Sequence, residues 1–272
     1  GDGFSDWIVG AKGYSTYAGR SYLYYGGASM NNVADVIMTG GTTLNQFGFS
    51  VSTAGDVNGD GFSDVIVGAN GYSSSTGRVY LFFGGSSMDN VADITITGET
   101  AGDSFGSSVS VAGDVNGDGF SDVIAGAPYY NSVNGRAYIF FGSVSMNNTA
   151  DVIITGEADD SYFGVSVSSG GDINGDGYSD VIVGANGENA ITGGAYVLFG
   201  GINMNNNIDI AMSGEAANNS FGYSASSAGD VNGDGYSDII VGAYGYSSAS
   251  GRAYIYSGSA IGIKPVLNYV KD

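Results

Sequence analysis

Aspartates recur in this chain at a spacing that suits a hard cation. Across residues 114–122, oxygen-bearing side chains stand at positions 1, 3, 5 and 9 of the stretch, as Asp114, Asn116, Asp118 and Asp122. Gly119, at position 6, permits the sharp bend that brings alternate residues round one point, and Phe120, at position 7, would add its backbone carbonyl. An all-oxygen shell of this kind is what an ion of calcium size requires. The spacing matches the first half of an EF-hand loop, although Ala125 stands where the closing Glu of such a loop belongs.

The same nonapeptide returns at a fixed distance. Full copies begin at Asp56, Asp114, Asp172 and Asp230, each 58 residues after the last. They supply three further ligand sets: Asp56, Asn58, Asp60, Phe62 and Asp64; Asp172, Asn174, Asp176, Tyr178 and Asp180; Asp230, Asn232, Asp234, Tyr236 and Asp238. A fifth copy opens the chain without its head, leaving Asp2, Phe4 and Asp6 as a partial set. A polar Asx/Gly turn between two strands is the ordinary reading of a single Asp-Gly cluster. Carboxylates held about 4 Å apart, however, repel by roughly 4 kcal/mol per pair at an effective dielectric near ~20. Four such clusters call for a counter-ion, and calcium is the expected one.

Composition limits the rest. The net charge of −20 comes from 27 acidic against 7 basic residues, and four calcium ions would leave about −12. No basic stripe exists to neutralise phosphates, so nucleic acid and anionic membranes are disfavoured as partners. With no Cys in the chain there is no disulfide framework, and metal ions are left to do any stapling. No apolar run approaches the ~20 residues of a membrane helix, which argues against membrane insertion. No leader-like stretch stands in these 272 residues, so a secreted protein is expected to carry them in its mature form. Extracellular calcium, at millimolar level, would keep weak sites filled.

The elements that must position these loops are short strands. Gly is abundant, at 49 residues against 2 Pro, and apolar residues come in brief runs. In the first 55 residues strands are expected at 7–9, 21–25 and 35–39, followed by one at 47–52 that leads into the Asp56 loop. In the copy at 114–171 they are expected at 121–125, 136–141, 151–155 and 163–168. Four short strands per 58-residue repeat make one small antiparallel sheet, which cannot bury both faces alone. Copies at 56–113, 114–171, 172–229 and 230–272, with a partial copy at 1–55, therefore predict a single all-β domain. It is a β-propeller of five four-stranded blades, the first incomplete, with a divergent tail at 259–272.

Phe105-Gly106 ahead of the loop, the loop itself and Gly126-Ala127-Pro128 after it resemble the FG-GAP repeat, found in the β-propeller of integrin α subunits and in many bacterial surface proteins. The resemblance covers all but about the last dozen residues. Only this copy has Pro in third place; the others read Gly10-Ala11-Lys12, Gly68-Ala69-Asn70, Gly184-Ala185-Asn186 and Gly242-Ala243-Tyr244. Integrin propellers have seven blades, more than the five at most seen here. The resemblance implies calcium in the loop between the first and second strands of a blade, and a first strand that lines the central channel.

The ends fit a closed ring poorly. After residues 252–256 the repeat breaks, and by register 267–270 fall where the last blade's fourth strand belongs. One inner strand of the first blade is missing. Residues before Gly1 would supply it, as a chain opening inside the motif favours; the tail moving into the gap, or a strand donated by a neighbouring molecule, are the alternatives.

Other recurring side chains invite both structural and functional readings. Arg20, Arg78, Arg136 and Arg252 share one repeat position, with Gly194 in the remaining copy. A row of Arg would suit an acidic ligand, but pairing with a nearby acid and packing on a Tyr is the more economical expectation. Tyr22, Tyr80, Tyr138, Tyr196 and Tyr254 share another position and are expected in the inter-blade core. The loops at 12–19, 70–77, 128–135, 186–193 and 244–251 vary most, as a ligand rim would. No His, Cys nucleophile, Gly-x-Ser-x-Gly elbow or phosphate loop is present, so no enzyme is expected. The chain reads as a secreted or cell-surface binding module for glycans or proteins in adhesion. The alternatives are a structural subunit binding copies of itself, or a non-catalytic domain of a larger secreted enzyme.

Overall fold

The computed structural model describes residues 3–266. Among these described residues nineteen strands form five antiparallel sheets in chain order. The first holds β1 (Trp7–Ala11), β2 (Arg20–Tyr24) and β3 (Val36–Thr39). The second holds β4 (Ser50–Gly55), β5 (Asp64–Ala69), β6 (Arg78–Phe82) and β7 (Ile94–Thr97). The third and fourth repeat this plan with β8 (Ser108–Gly113), β9 (Asp122–Ala127), β10 (Arg136–Phe140), β11 (Val152–Thr155), then β12 (Ser166–Gly171), β13 (Asp180–Ala185), β14 (Gly194–Leu198), β15 (Ile210–Ser213). The fifth holds β16 (Phe221–Gly229), β17 (Asp238–Ala243), β18 (Arg252–Ser257) and β19 (Lys264–Val266).

Each blade is a meander, and the strands β4, β8, β12 and β16 pack on one another in succession. They are the inner strands of a β-propeller with mostly four-stranded blades. The core lies between blades rather than within them. Among the described residues four apolar slabs fill the junctions between successive blades; the third sets Ile124, Ala137, Ile139 and Ile154 of the third blade against Val181, Val183, Ala185 and Leu198 of the fourth. Alternation along each strand makes this possible, because one set of side chains faces forward and the other backward. The outermost faces of the series are bare: Val9 is 44% exposed and Ile240 36%, whereas their counterparts Val67, Ala125, Ile124 and Ile182 are fully buried.

Some boundaries differ from the sequence expectation, for identifiable reasons. The strand expected at 163–168 begins at Ser166, because Phe163 instead bridges to Gly135, next to the third blade's Arg136. The strand expected at 151–155 begins at Val152, since Asp151 turns its carboxylate back to the Phe141 N–H at 2.8 Å. The last outer strand is Lys264–Val266, paired with β18, so these residues do not fill the gap in the first blade; the expected strand at 267–270 lies outside the described residues.

Candidate metal loops and the opposite rim

Each of the four full candidate metal loops begins on a bulge. At Gly113 the β8–β9 register shifts and φ reaches +85°, a value an L side chain resists, and the chain swings out of the sheet into Asp114. Within the loop, Asp114 Oδ1 accepts the Gly117 N–H at 2.7 Å and Oδ2 accepts the Gly119 N–H at 2.9 Å. Asn116 Oδ1 accepts the Asp118 N–H at 2.8 Å, and Asp118 Oδ1 the Phe120 N–H at 3.0 Å. The loops starting at Asp56, Asp172 and Asp230 repeat every one of these bonds.

The ninth residue has a different environment. Asp122 is fully buried; its Oδ2 accepts the Val115 N–H at 2.8 Å and its Oδ1 the Gly142 N–H at 2.8 Å. Burial pushes the carboxyls of Asp122 and Asp180 up to about 7 and that of Asp64 to about 6, with the loop's own aspartates adding a smaller upward push. The first-position Asp230, by contrast, is held below its usual range by N–H bonds, that of Gly235 foremost. In the partial first copy Asp6 keeps the ninth-position role, accepting the Gly26 N–H at 2.7 Å, and Phe4 is exposed; Asp2 lies outside the described residues.

Among the described residues no group of three acidic side chains is drawn tightly around one point, because the carboxylates turn to loop N–H groups. The donor set still fits a hard cation in its chemistry. It offers only oxygen ligands, and it includes a buried carboxylate whose charge the surroundings penalise. The Asp-rich pattern is that of the calcium loops typical of FG-GAP repeats.

These loops also join the blades. The carbonyls of Asp56, Asp114 and Asp172 accept N–H bonds from Ser121, Ser179 and Ser237 of the following blade, at 2.9, 3.0 and 2.9 Å. Those of Val57, Val115 and Ile173 accept bonds from Ser143, Gly201 and Ser259, at 2.8, 2.8 and 3.0 Å, while their side chains are buried in the junctions. The Phe120 ring lies on Gly59, and Tyr178 on Gly117. Sequence reading missed this bracing, although the constant Val or Ile at loop position 2 was its signal.

The opposite rim carries the variable loops. Each holds one helical turn, such as Tyr130–Val133, in which Asn131, Ser132 and Val133 adopt left-handed backbone angles. The Arg row lies beside these turns. The Arg136 guanidinium stacks on Tyr130 at 3.6 Å, its Nε donates to Thr155 Oγ1 at 2.9 Å, and its Nη1 meets Glu99 at 3.0 Å. Arg252 stacks on Tyr246 and pairs with Glu215 at 3.0 Å. Arg20 and Arg78 keep the Tyr and Thr partners, but Gly41 stands where an acid for Arg78 would be. The expected acid pairing thus holds for two of the four. Tyr80, Tyr138, Tyr196 and Tyr254 pack as expected, against Phe47, Phe105, Phe163 and Phe221, with Phe105–Tyr138 and Phe221–Tyr254 ring centroids 5.2 Å apart.

The FG-GAP repeat model matches residues 47–82, 105–140, 163–198 and 221–256, together more than half of the chain. Integrin alpha-5 of Xenopus laevis is 30% identical over 151 residues, which are 52% of this chain and 14% of that protein. Integrin alpha-6 of Gallus gallus is 36% identical over 134 residues, 46% of this chain and 12% of that protein. A phosphatidylinositol-glycan-specific phospholipase D of Bos taurus is 36% identical over 99 residues, 30% of this chain and 12% of that protein. The chain therefore spans a small part of the length of each relative.

Proposed function

The chain belongs to the FG-GAP repeat family, as a non-catalytic propeller of the adhesion type, and from that premise we propose that it is a calcium-binding extracellular module whose rim loops engage a glycan or protein ligand. One observation carries the reading. The loops of constant sequence and those of varied sequence occupy opposite ends of the strands, because the first leave β8 for β9 and the second return from β9 to β10. Calcium at the constant loops, held by their Asp and Asn side chains and the carbonyl at position 7, stabilises the junctions. The varied rim is then free to differ from blade to blade without disturbing the core.

The test is retention of the chain on glycan and protein arrays with calcium, beside a variant in which all five rim loops carry the 70–77 sequence. Ligand retention by the parent and its loss in the uniform-rim variant support the reading. No retention, or equal retention by both, contradicts it. No helix among the described residues is long and apolar enough to cross a membrane. The bare faces at Val9 and Ile240 favour a second reading, a subunit that self-associates. Light scattering in calcium separates the two: a mass of 27.5 kDa supports the module and a multiple of it the subunit.

A further inference from the structure

Each full metal loop carries a reactive step at its third and fourth positions: Asn58-Gly59, Asn116-Gly117, Asn174-Gly175 and Asn232-Gly233. At an Asn-Gly step the Gly nitrogen can attack the side-chain amide of the preceding Asn, since no Cβ stands in the way. Bonds within the loop restrain that reaction. The Gly233 N–H donates to Asp230 Oδ1 at 2.7 Å, and a carboxylate placed there opposes the negative charge that an attacking nitrogen develops. The Asn232 amide is held at both ends: Nδ2 donates to Asp234 Oδ2 and to Ser257 Oγ, each at 3.0 Å, and Oδ1 accepts the Asp234 N–H at 2.8 Å. The loops at Asp56, Asp114 and Asp172 hold their Asn and Gly by the same bonds within the loop.

One loop differs in its cover. An aromatic ring of the following blade lies on the Gly of the other three steps, Phe120 on Gly59, Tyr178 on Gly117 and Tyr236 on Gly175. Nothing lies within 4 Å of a Cβ built on Gly233. Asn232 and Gly233 are both exposed, whereas Asn58, Asn116 and Asn174 are half-buried. A covered Gly must displace the ring of the next blade before it reaches its neighbour's amide, while Gly233 needs only to leave Asp230. Local opening of this kind becomes rarer when the loop must also release a bound ion.

We infer that Asn232 is a site of spontaneous deamidation that calcium holds in check. The Gly233 nitrogen bonds to Asn232 Cγ, the Cγ–Nδ2 bond breaks, and Nδ2 leaves as ammonia, taking up the proton of the Gly N–H. Water then opens the cyclic imide at either carbonyl and yields aspartate or isoaspartate, with nothing oxidised or reduced. Either product adds a negative charge to the loop. Isoaspartate also routes the backbone through its side chain, which displaces the ligand at position 3 from those that follow, so that the set no longer closes round one point. Loss of the ion thereby becomes irreversible at this loop. The inference rests on the reading of these loops as calcium sites and is independent of any rim ligand.

The test is incubation of the chain at mildly alkaline pH, below both unfolding midpoints, in calcium and in chelator, followed by proteolysis and mass measurement of each loop peptide. In chelator Asn232 should convert first, ahead of Asn58, Asn116 and Asn174. Calcium at about 100-fold excess over its Kd should slow that conversion about 100-fold. Asn134, on the opposite rim, precedes a Gly135 whose N–H is bonded to the Tyr130 carbonyl at 3.1 Å, and should convert at one rate in both conditions. Asp230 is exposed, and Asp230→Ala should bring Asn232 in calcium to its chelator rate while the other three loops stay slow. Tyr178→Ala bares Gly117 and should raise Asn116 in chelator to the rate of Asn232. Equal conversion of Asn232 in the two conditions, one common rate for all four loops in chelator, or Asn134 accelerating in step with Asn232 overturns the inference. Equal rates beside a calcium-raised midpoint would strike this site alone; equal rates beside coincident midpoints would strike the calcium reading with it.

Discussion

The ninth-position aspartates decide how the loops respond to acid. Their carboxyls sit at about 6 for Asp64 and about 7 for Asp122 and Asp180, above the ordinary value of 3.8, because burial penalises the charge. With calcium chelated, the folded chain binds protons at these groups between about pH 4 and 7 while the unfolded chain does not. Stability of the metal-free protein should therefore rise as pH falls from 8 to 5. Calcium favours the ionised form, so in its presence the trend should reverse over the same range. Urea unfolding at pH 5 and pH 8, with and without chelator, checks both signs. Carboxylates titrating at 4 would flatten the metal-free difference.

Close approach of backbones governs the elements. Gly126 meets the carbonyl of Gly164 in the next blade so tightly that a Cβ there would collide with that oxygen, and Gly68 and Gly184 meet Gly106 and Gly222 alike. The Gly of each Gly-Ala pair and the Gly of the next Phe-Gly pair are two halves of one contact. Gly126→Ala should destabilise by about 2–3 kcal/mol in chemical denaturation, through forced separation of β9 from the segment that leads into β12 of the next blade. Gly41→Ala, with nothing within 4 Å of the new methyl, should stay within about 0.5 kcal/mol. Ser108 donates to the Gly164 carbonyl across the same junction at 2.8 Å, and Ser108→Ala should cost about 1 kcal/mol. Equal losses at Gly126 and Gly41 would refute the account of the junction.

The repeat made much of the whole molecule legible. Strand number, antiparallel order and the position of each nonapeptide follow from the 58-residue period and side-chain alternation, and four-stranded blades form as expected. Contacts between repeats were less legible. Nothing local distinguishes Ser121, which bonds the Asp56 carbonyl of the preceding blade, from any other loop serine. The sequence pattern places Asp35 and Asp151 at strand starts, whereas each, like Asp93 and Asp209, ties off the preceding strand end. The missing Arg at Gly194 is legible in sequence; the Glu188 and Tyr196 side chains that lie beside it in space are not.

The calcium account stands on the same bracing. Removing the ions should loosen four loops and, through the carbonyls of Asp56, Asp114 and Asp172, three blade junctions as well. Each site filled at 100-fold excess over its Kd adds about 2.7 kcal/mol. Each kcal/mol is worth about 2 °C or more in a chain of this size. The most direct measurement is the thermal unfolding midpoint in millimolar calcium against the same protein in excess chelator. A midpoint higher by roughly 20 °C with calcium, in one cooperative transition, is the predicted result. Coincident midpoints in the two conditions would contradict the assignment of these loops to calcium.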